Sequence, residues 1–137
     1  MSQTRIRSAF ESRLASWAAT QSLPVVWQNV AAELPVVDHL RAYLLPAETA
    51  ARDLAGDNRS YRGIFQVSVF AAPGQGAERV EQIARALDEL FPVALRMESG
   101  GLAVLVLTPM AARPAIQEPG WFSVPVSCRY AAEETKP

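Results

Sequence analysis

The sequence predicts an α+β protein in which a mainly antiparallel sheet packs against two helices, one at the N-terminus and one near residues 77–91. Two segments repeat apolar residues at the spacing of a helix, and several others alternate apolar and polar residues as strands do. One helix, two or three strands, a second helix and three more strands follow each other, which is typical of an α+β sandwich. The 137 residues contain no repeat and no linker that divides them, so we expect a single domain over residues 1–137.

The N-terminal helix is predicted over residues 2–19. Its apolar positions recur three or four residues apart and form one stripe, made by Ile6, Phe10, Leu14 and Trp17. Pro24 prevents the helix from running further, because proline lacks the amide hydrogen and clashes with the preceding turn.

Two strands are predicted to follow this helix. The apolar run within residues 25–29 lies between prolines, which favours a short strand at a sheet edge. Residues 39–45 alternate in the pattern of a firmer strand, and Pro46 is predicted to end it. The polar residues 47–60 are then expected to form a loop, which is either functional or disordered because it is long for a compact domain.

Residues 61–70 form the strongest predicted strand, since they are dense in aromatic and β-branched residues. A turn at residues 73–76 leads to the second helix, predicted over residues 77–91. The buried stripe of that helix follows the i, i+3, i+4, i+7 pattern through Val80, Ile83, Ala84, Leu87, Leu90 and Phe91.

The remainder of the chain predicts further strands. Residues 93–97 are a candidate strand, and the nearly continuous apolar run at residues 102–107 predicts a strand buried on both faces. Residues 109–119 contain three prolines and are expected to be irregular. The last strand is predicted at residues 120–130, followed by a frayed tail over residues 131–137.

Pro125 constrains that last strand, because proline cannot donate to a strand ladder. The strand must therefore lie at a sheet edge, or its unpaired side must face outward at this residue. The sequence leaves both alternatives open.

Composition argues against several functions. The formal net charge is −1, without the clustered positive excess that specific nucleic-acid binding requires. No segment approaches the ~18 apolar residues of a membrane span. The chain has one cysteine, which excludes an internal disulfide, and its N-terminus shows no signal-peptide pattern, so we expect it in the cytoplasm of its host cell.

The candidates for chemistry reduce to one histidine and one cysteine. Asp38 and His39 make a poor metal site, because neighbours in a strand point to opposite faces. His39 is therefore predicted to be a structural residue of the strand, at the surface or half-buried. Cys128 shares the face of the apolar residues of the last strand, which indicates a buried thiol rather than a nucleophile. We therefore expect no catalytic, metal-binding or cofactor-binding residues and no enzyme activity.

Three motifs follow one another along the chain: VWQNV at residues 26–30, RGIFQVSV at residues 62–69 with APGQG at residues 72–76, and GWFSVPVS at residues 120–127. In this order and spacing they resemble the tail-terminator-like proteins of long-tailed phages and prophages, over almost the whole chain. The resemblance implies a structural protein that caps the tail tube, ends its polymerisation and provides the head-docking surface. It also implies a ring, usually a hexamer, and it supplies no catalytic residues.

The partners implied by the resemblance are further copies of the chain, the major tail-tube protein and a head-completion or connector protein. The implied locations are the bacterial host cytoplasm during assembly and then the tail or neck of the virion. Two alternatives remain open: another neck or head–tail completion protein of similar fold, and a small ligand-binding host domain.

A ring of identical subunits needs two different patches that complement each other. The charged segment at residues 47–60 is a candidate for one of them, since segments of this kind can become ordered on binding. We predict subunit or tube contacts by five residues in or next to it: Arg52, Asp53, Asp57, Arg59 and Arg62. A mobile, solvated loop is the alternative.

Overall fold

The computed structural model describes residues 2–28, 30, 35–51, 58–74 and 77–135. Within these ranges the chain forms two helices and a sheet of eight strands. The elements in chain order are α1 (Ser2–Thr20), β1 (Val25–Val26), β2 (His39–Ala51), β3 (Asn58–Ala71), α2 (Glu78–Leu90), β4 (Arg96–Ser99), β5 (Leu102–Val106), β6 (Ala111–Ala112), β7 (Ile116–Glu118) and β8 (Trp121–Thr135). The predicted α+β class is confirmed, and both predicted helices are present.

The sheet is built around β8. The strand order is β1-β2-β3-β8-β5-β4, and β6 and β7 also pair with β8. β3 pairs with one side of β8, while β5, β6 and β7 pair in turn with its other side. β1 lies at one edge of the sheet, as the sequence predicts, and it is parallel to β2, whereas the other recorded pairs are antiparallel.

Both helices pack on one face of the sheet, which we call the helix side; the opposite face is the outer face. The buried helix residues are Ile6, Phe10, Leu14, Ala18, Val80, Ile83 and Leu87. Phe10 joins the helices to the sheet, because its ring stacks on that of Phe65 at 4.4 Å and also contacts Phe91 and Tyr130. Most of the two predicted stripes is therefore buried, although Trp17 packs against the core from a half-buried position.

Pro46 does not end β2, contrary to the prediction. The Leu40 amide donates to the Pro24 carbonyl at the sheet edge, and alternate residues of a strand turn their amides to the same side. Pro46 therefore directs its ring nitrogen towards the edge, where no hydrogen bond to β3 is lost. A bulge before Glu48 follows, and the strand continues.

The segment at residues 47–60 is consequently not one long loop. β2 runs to Ala51 and β3 begins at Asn58, so its described part belongs to a β-hairpin. The prediction was wrong because the rule that proline ends a strand does not apply on the edge side of an edge strand.

Pro125 lies in an internal strand, since β8 has neighbours on both sides. The Pro125 carbonyl accepts a hydrogen bond from the Arg113 amide at 2.8 Å, so its ring nitrogen points the same way. On that side the pairing is interrupted between β6 and β7. Of the two alternatives, the edge strand is wrong, and the proline is tolerated because it meets this interruption.

The C-terminal strands are more extensive than predicted. β6 and β7 lie within residues 109–119, which were expected to be irregular. β8 also continues to Thr135, because β3 and β5 both pair with residues of the predicted tail. The candidate strand at residues 93–97 is observed as β4, which begins three residues later and ends two residues later than predicted.

β5 is buried on one face only, contrary to the prediction. Leu102 and Val104 are buried on the helix side, whereas Leu105 is 39% exposed, and Leu107, just after the strand, is 36% exposed. Because the described helices cover a single face of the sheet, a continuous apolar run here does not indicate two buried faces. The excess apolar residues lie on the surface instead.

Candidate assembly surfaces

The residues predicted to make subunit or tube contacts do not share one surface in the described part of the chain. Arg52, Asp53 and Asp57 lie outside the described residues. Arg59 and Arg62 are both exposed on β3. Since successive residues of a strand alternate between faces, Arg59 belongs to the helix side and Arg62 to the outer face.

The outer face carries an aromatic cluster at the start of β2. The imidazole of His39 stacks on the ring of Phe70 at 4.9 Å and meets the ring of Trp121 edge-on at the same distance. The guanidinium of Arg41 lies 3.9 Å from the centroid of the Phe70 ring, in cation–π geometry. His39 is completely buried, so its prediction as a surface or half-buried residue was wrong.

The hydrogen bonds of His39 determine its protonation. Nε2 lies 3.2 Å from Nε of Arg41, which can only donate, so Nε2 accepts. Nδ1 then carries the hydrogen and donates to the Val37 carbonyl at 2.9 Å. Burial lowers the pKa of His39, against an opposing effect of the Val37 hydrogen bond. The imidazole is therefore a neutral structural group.

A groove lies at the other end of the sheet, where β3, β8 and the residues after β5 meet. We call it the outer groove; its volume is about 460 Å³, and it is lined by Ala47, Arg62, Gly63, Ile64, Leu107, Thr108, Arg129 and Tyr130. A smaller hollow of about 180 Å³ adjoins it and shares Ile64, Thr108 and Arg129. Leu45, which is 41% exposed, and Leu105 lie on the same part of the outer face.

Two exposed arginines border the outer groove. Arg62 and Arg129 occupy neighbouring strands in diagonal positions, because Arg62 pairs with Ala131 and Ile64 with Arg129. Among the side chains that the structure describes, neither guanidinium has a carboxylate within 4.0 Å. Arginine is enriched at protein–protein interfaces, and the buried core of an interface is more apolar than the rest of the surface.

Of this surface, Arg62 was predicted as a contact from the sequence, whereas Arg129 and the exposed leucines were not. The alternation of β8 puts Arg129 on the face opposite Cys128, and this signal was available in the sequence. The pairing of β8 with both β3 and β5 was not available, and that pairing is what gathers these residues.

A further hollow lies on the helix side, between α1 and β4, with a volume of about 790 Å³. Its lining includes hydroxyl residues of α1, such as Ser8, Ser12 and Ser16, next to Trp17 and Met97. It is an open depression, unlike the enclosed apolar pockets that bind small ligands.

The two candidates for chemistry are kept apart by the sheet. Cys128 is buried on the helix side, opposite Phe65, whereas His39 is on the outer face. Burial raises the pKa of the Cys128 thiol to about 12, against a smaller opposing effect of a backbone hydrogen bond from Phe65. Over the residues that the structure describes, no three His, Cys, Asp or Glu side chains group as metal ligands would.

Neither helix in the described ranges is long and apolar enough to cross a membrane.

Comparison with known proteins identifies the family. The model of the phage tail terminator protein family matches residues 5–130, and the chain belongs to that family. A solved structure of a protein whose designation states no function is 48% identical, with a TM-score of 0.83; the match covers 100% of this chain and 99% of that one. No curated protein matched the chain.

Family membership confirms the resemblance seen in the three sequence motifs. The chain is a structural protein of the phage tail, and so a component of the virion tail.

Proposed function

We propose that this chain caps the phage tail tube as a hexameric ring of identical subunits and thereby ends polymerisation of the tube. The free side of the ring presents the surface to which the head-completion or connector protein docks. Assembly takes place in the bacterial host cytoplasm, and the protein remains at the tail or neck of the virion. The observation that carries this proposal is the family match over residues 5–130.

The role is structural rather than catalytic. The one histidine is held neutral in an aromatic cluster, and the one cysteine is a buried thiol with a raised pKa on the opposite side of the sheet. Neither group meets the other, so the pair lacks the contact that an activated nucleophile needs.

The composition of the outer face is consistent with an assembly surface. Its exposed leucines and arginines resemble the composition of an interface, and a ring requires such a patch on each subunit. Within the proposal, Arg52, Asp53, Asp57, Arg59 and Arg62 remain the predicted subunit or tube contacts. Arg59 and Arg62 serve different contacts, because they lie on opposite faces of β3.

The test is tube growth from the cognate tail-tube protein in the presence of this chain. Electron microscopy measures tube length, and light scattering over a range of concentrations measures ring mass with and without tube protein. We expect shorter tubes with a ring at one end. Unchanged tube lengths, together with a chain that stays monomeric beside the tube protein, would remove the proposal; binding to a head connector alone would favour another neck protein.

Single substitutions then test the predicted contacts. We expect Arg59→Ala and Arg62→Ala each to weaken ring assembly or capping, whereas Arg96→Ala serves as the control because Arg96 is an exposed arginine on β4. Assembly that is unaffected by either test substitution would show that these arginines are not contacts.

A further inference from the structure

The outer groove presents a pair of positively charged side chains on adjacent strands. Arg62 and Arg129 are diagonal neighbours on adjacent antiparallel strands, a relation that places such residues roughly 7–8 Å apart. Ile64, which pairs with Arg129, and Leu107 line the same groove. The groove therefore fits a partner with two carboxylates a similar distance apart on a rigid element.

α2 carries such a pair of carboxylates at its beginning. Glu78 and Glu81 lie in its first turn and are exposed. Residues three apart on a helix have Cβ atoms about 5–6 Å apart, so these two flexible side chains can reach guanidinium groups at the spacing of the groove. The helix itself is held on the core by Val80 and Ile83, which keeps the acidic pair turned away from the sheet.

The two charged surfaces cannot meet within one subunit. The start of α2 is tied to the far end of β3, because the Ala72 amide donates to Asp38, and Arg79 lies 3.8 Å from the same carboxylate. Gly63, at the outer groove, is eight residues before Ala71, which is about 26 Å of extended strand. The helix and the groove also lie on opposite faces of the sheet, so any contact between these surfaces joins two copies.

We propose that the outer groove, through Arg62 and Arg129, binds Glu78 and Glu81 of a neighbouring copy of this chain. The contact is heterologous, since each subunit contributes its groove on one side and its helix on the other, and such contacts form rings where the rotation between neighbours closes. The opposite charges complement each other, and each groove arginine gains a carboxylate partner, which neither has within 4.0 Å among the side chains that the structure describes. This inference rests on the proposed ring and names two of the surfaces that join its subunits.

The experiment reverses each charged surface separately. One variant carries Arg62→Glu with Arg129→Glu, the second carries Glu78→Arg with Glu81→Arg, and ring mass is measured by light scattering under conditions where the unaltered chain forms rings. We expect each variant alone to need at least about tenfold more protein to assemble, because two attractive pairs become repulsive. An equimolar mixture restores rings, because each altered surface then meets a neighbour of opposite charge.

The mixture distinguishes a lost contact from a damaged fold, since misfolded chains do not rescue each other. A chain with all four substitutions provides a second rescue that does not depend on an even number of subunits, and Arg96→Glu controls for added negative charge. Rings that form normally from each variant, or a loss that neither rescue reverses, would overturn this contact while the proposed function stands. If the unaltered chain forms no ring with or without tube protein, both fail.

Discussion

Gly63 is a position where the addition of a single methyl group should lower the stability of the fold substantially. It lies on the helix side of β3, directly opposite Tyr130 of β8, whose ring lies across it. A Cβ atom at this position would lie 2.5 Å from the Tyr130 hydroxyl oxygen, 2.6 Å from the Leu45 carbonyl oxygen and 2.8 Å from Cε2 of Tyr130. All three distances are below van der Waals contact, and one of them involves backbone.

The expected magnitude for Gly63→Ala follows from these contacts. Overpacking in a core typically costs about 1–3 kcal/mol, and the upper end applies because the Leu45 carbonyl cannot rotate away as a side chain can. We therefore expect a loss of about 3 kcal/mol in the free energy of unfolding, or roughly 10 °C in Tm for a chain of this size. Denaturant unfolding followed by circular dichroism measures it, at a concentration where the chain is monomeric.

A second substitution shows which contact is responsible. The Tyr130 hydroxyl is buried and has no hydrogen-bond partner in the described part of the chain, and burial raises its pKa against a smaller opposing effect of Arg7. Tyr130→Phe should therefore be neutral or stabilising by about 1 kcal/mol. In the Tyr130→Phe background, Gly63→Ala should lower the free energy of unfolding by about 1 kcal/mol less, because the clash with the hydroxyl is gone. Most of the loss remains, because the ring and the Leu45 carbonyl still clash with the new Cβ atom.

The control is Gly101→Ala, where a Cβ atom meets nothing within 4 Å but φ is +83°. This substitution should lower the free energy of unfolding by about 1 kcal/mol through backbone strain alone. A loss below about 1 kcal/mol for Gly63→Ala would refute the steric reasoning. A loss above about 1 kcal/mol for Tyr130→Phe would show that the hydroxyl is stabilising.

Three further predictions concern the core and the outer face. Because burial lowers the pKa of His39, the unfolded chain binds a proton more readily, so stability should fall as pH drops below about 6.5, by at most about 1.4 kcal/mol per unit. The chain has one histidine, so His39→Gln should remove this slope in denaturant titrations at pH 5.5–7.5, and equal slopes would contradict the assignment. Cys128 should resist a thiol reagent in the native state and react at the rate of unfolding, whereas rapid native labelling would show that β8 opens. Phe10→Ala should lower the free energy of unfolding by about 3–5 kcal/mol, because the Phe10 ring is fully buried and stacks on Phe65. The exposed Ser16→Ala is the control, and a loss under about 2 kcal/mol for Phe10→Ala would be inconsistent with this packing.

The helices were predictable because their signal is local. The apolar stripe and the flanking turn and proline placed α2 within one residue of its observed ends at both termini. The same holds for α1, whose buried residues include three of the four in the predicted stripe. A period of 3.6 residues needs no knowledge of which other element the helix meets.

The two prolines could not be interpreted correctly from sequence. Whether Pro46 ends β2 depends on which side of the strand faces an edge, and this follows from pairing with residues far along the chain. Whether Pro125 excludes a central strand depends on where β6 and β7 leave a gap. In both cases the local rule is valid, and the long-range register decides how it applies.

The outer groove shows the same limit at the level of function. Arg62, Arg129 and Leu107 come from three separated parts of the chain, and only Arg62 belongs to one of the sequence motifs. Their proximity follows from β8 lying between β3 and β5, with every helix that the structure describes on the other face. On an open face of this kind the alternate residues of each strand can be exposed, so its arginines and leucines can contact a partner. The contacts of this tail protein should therefore be sought among outward-facing strand residues as well as in the charged segment at residues 47–60.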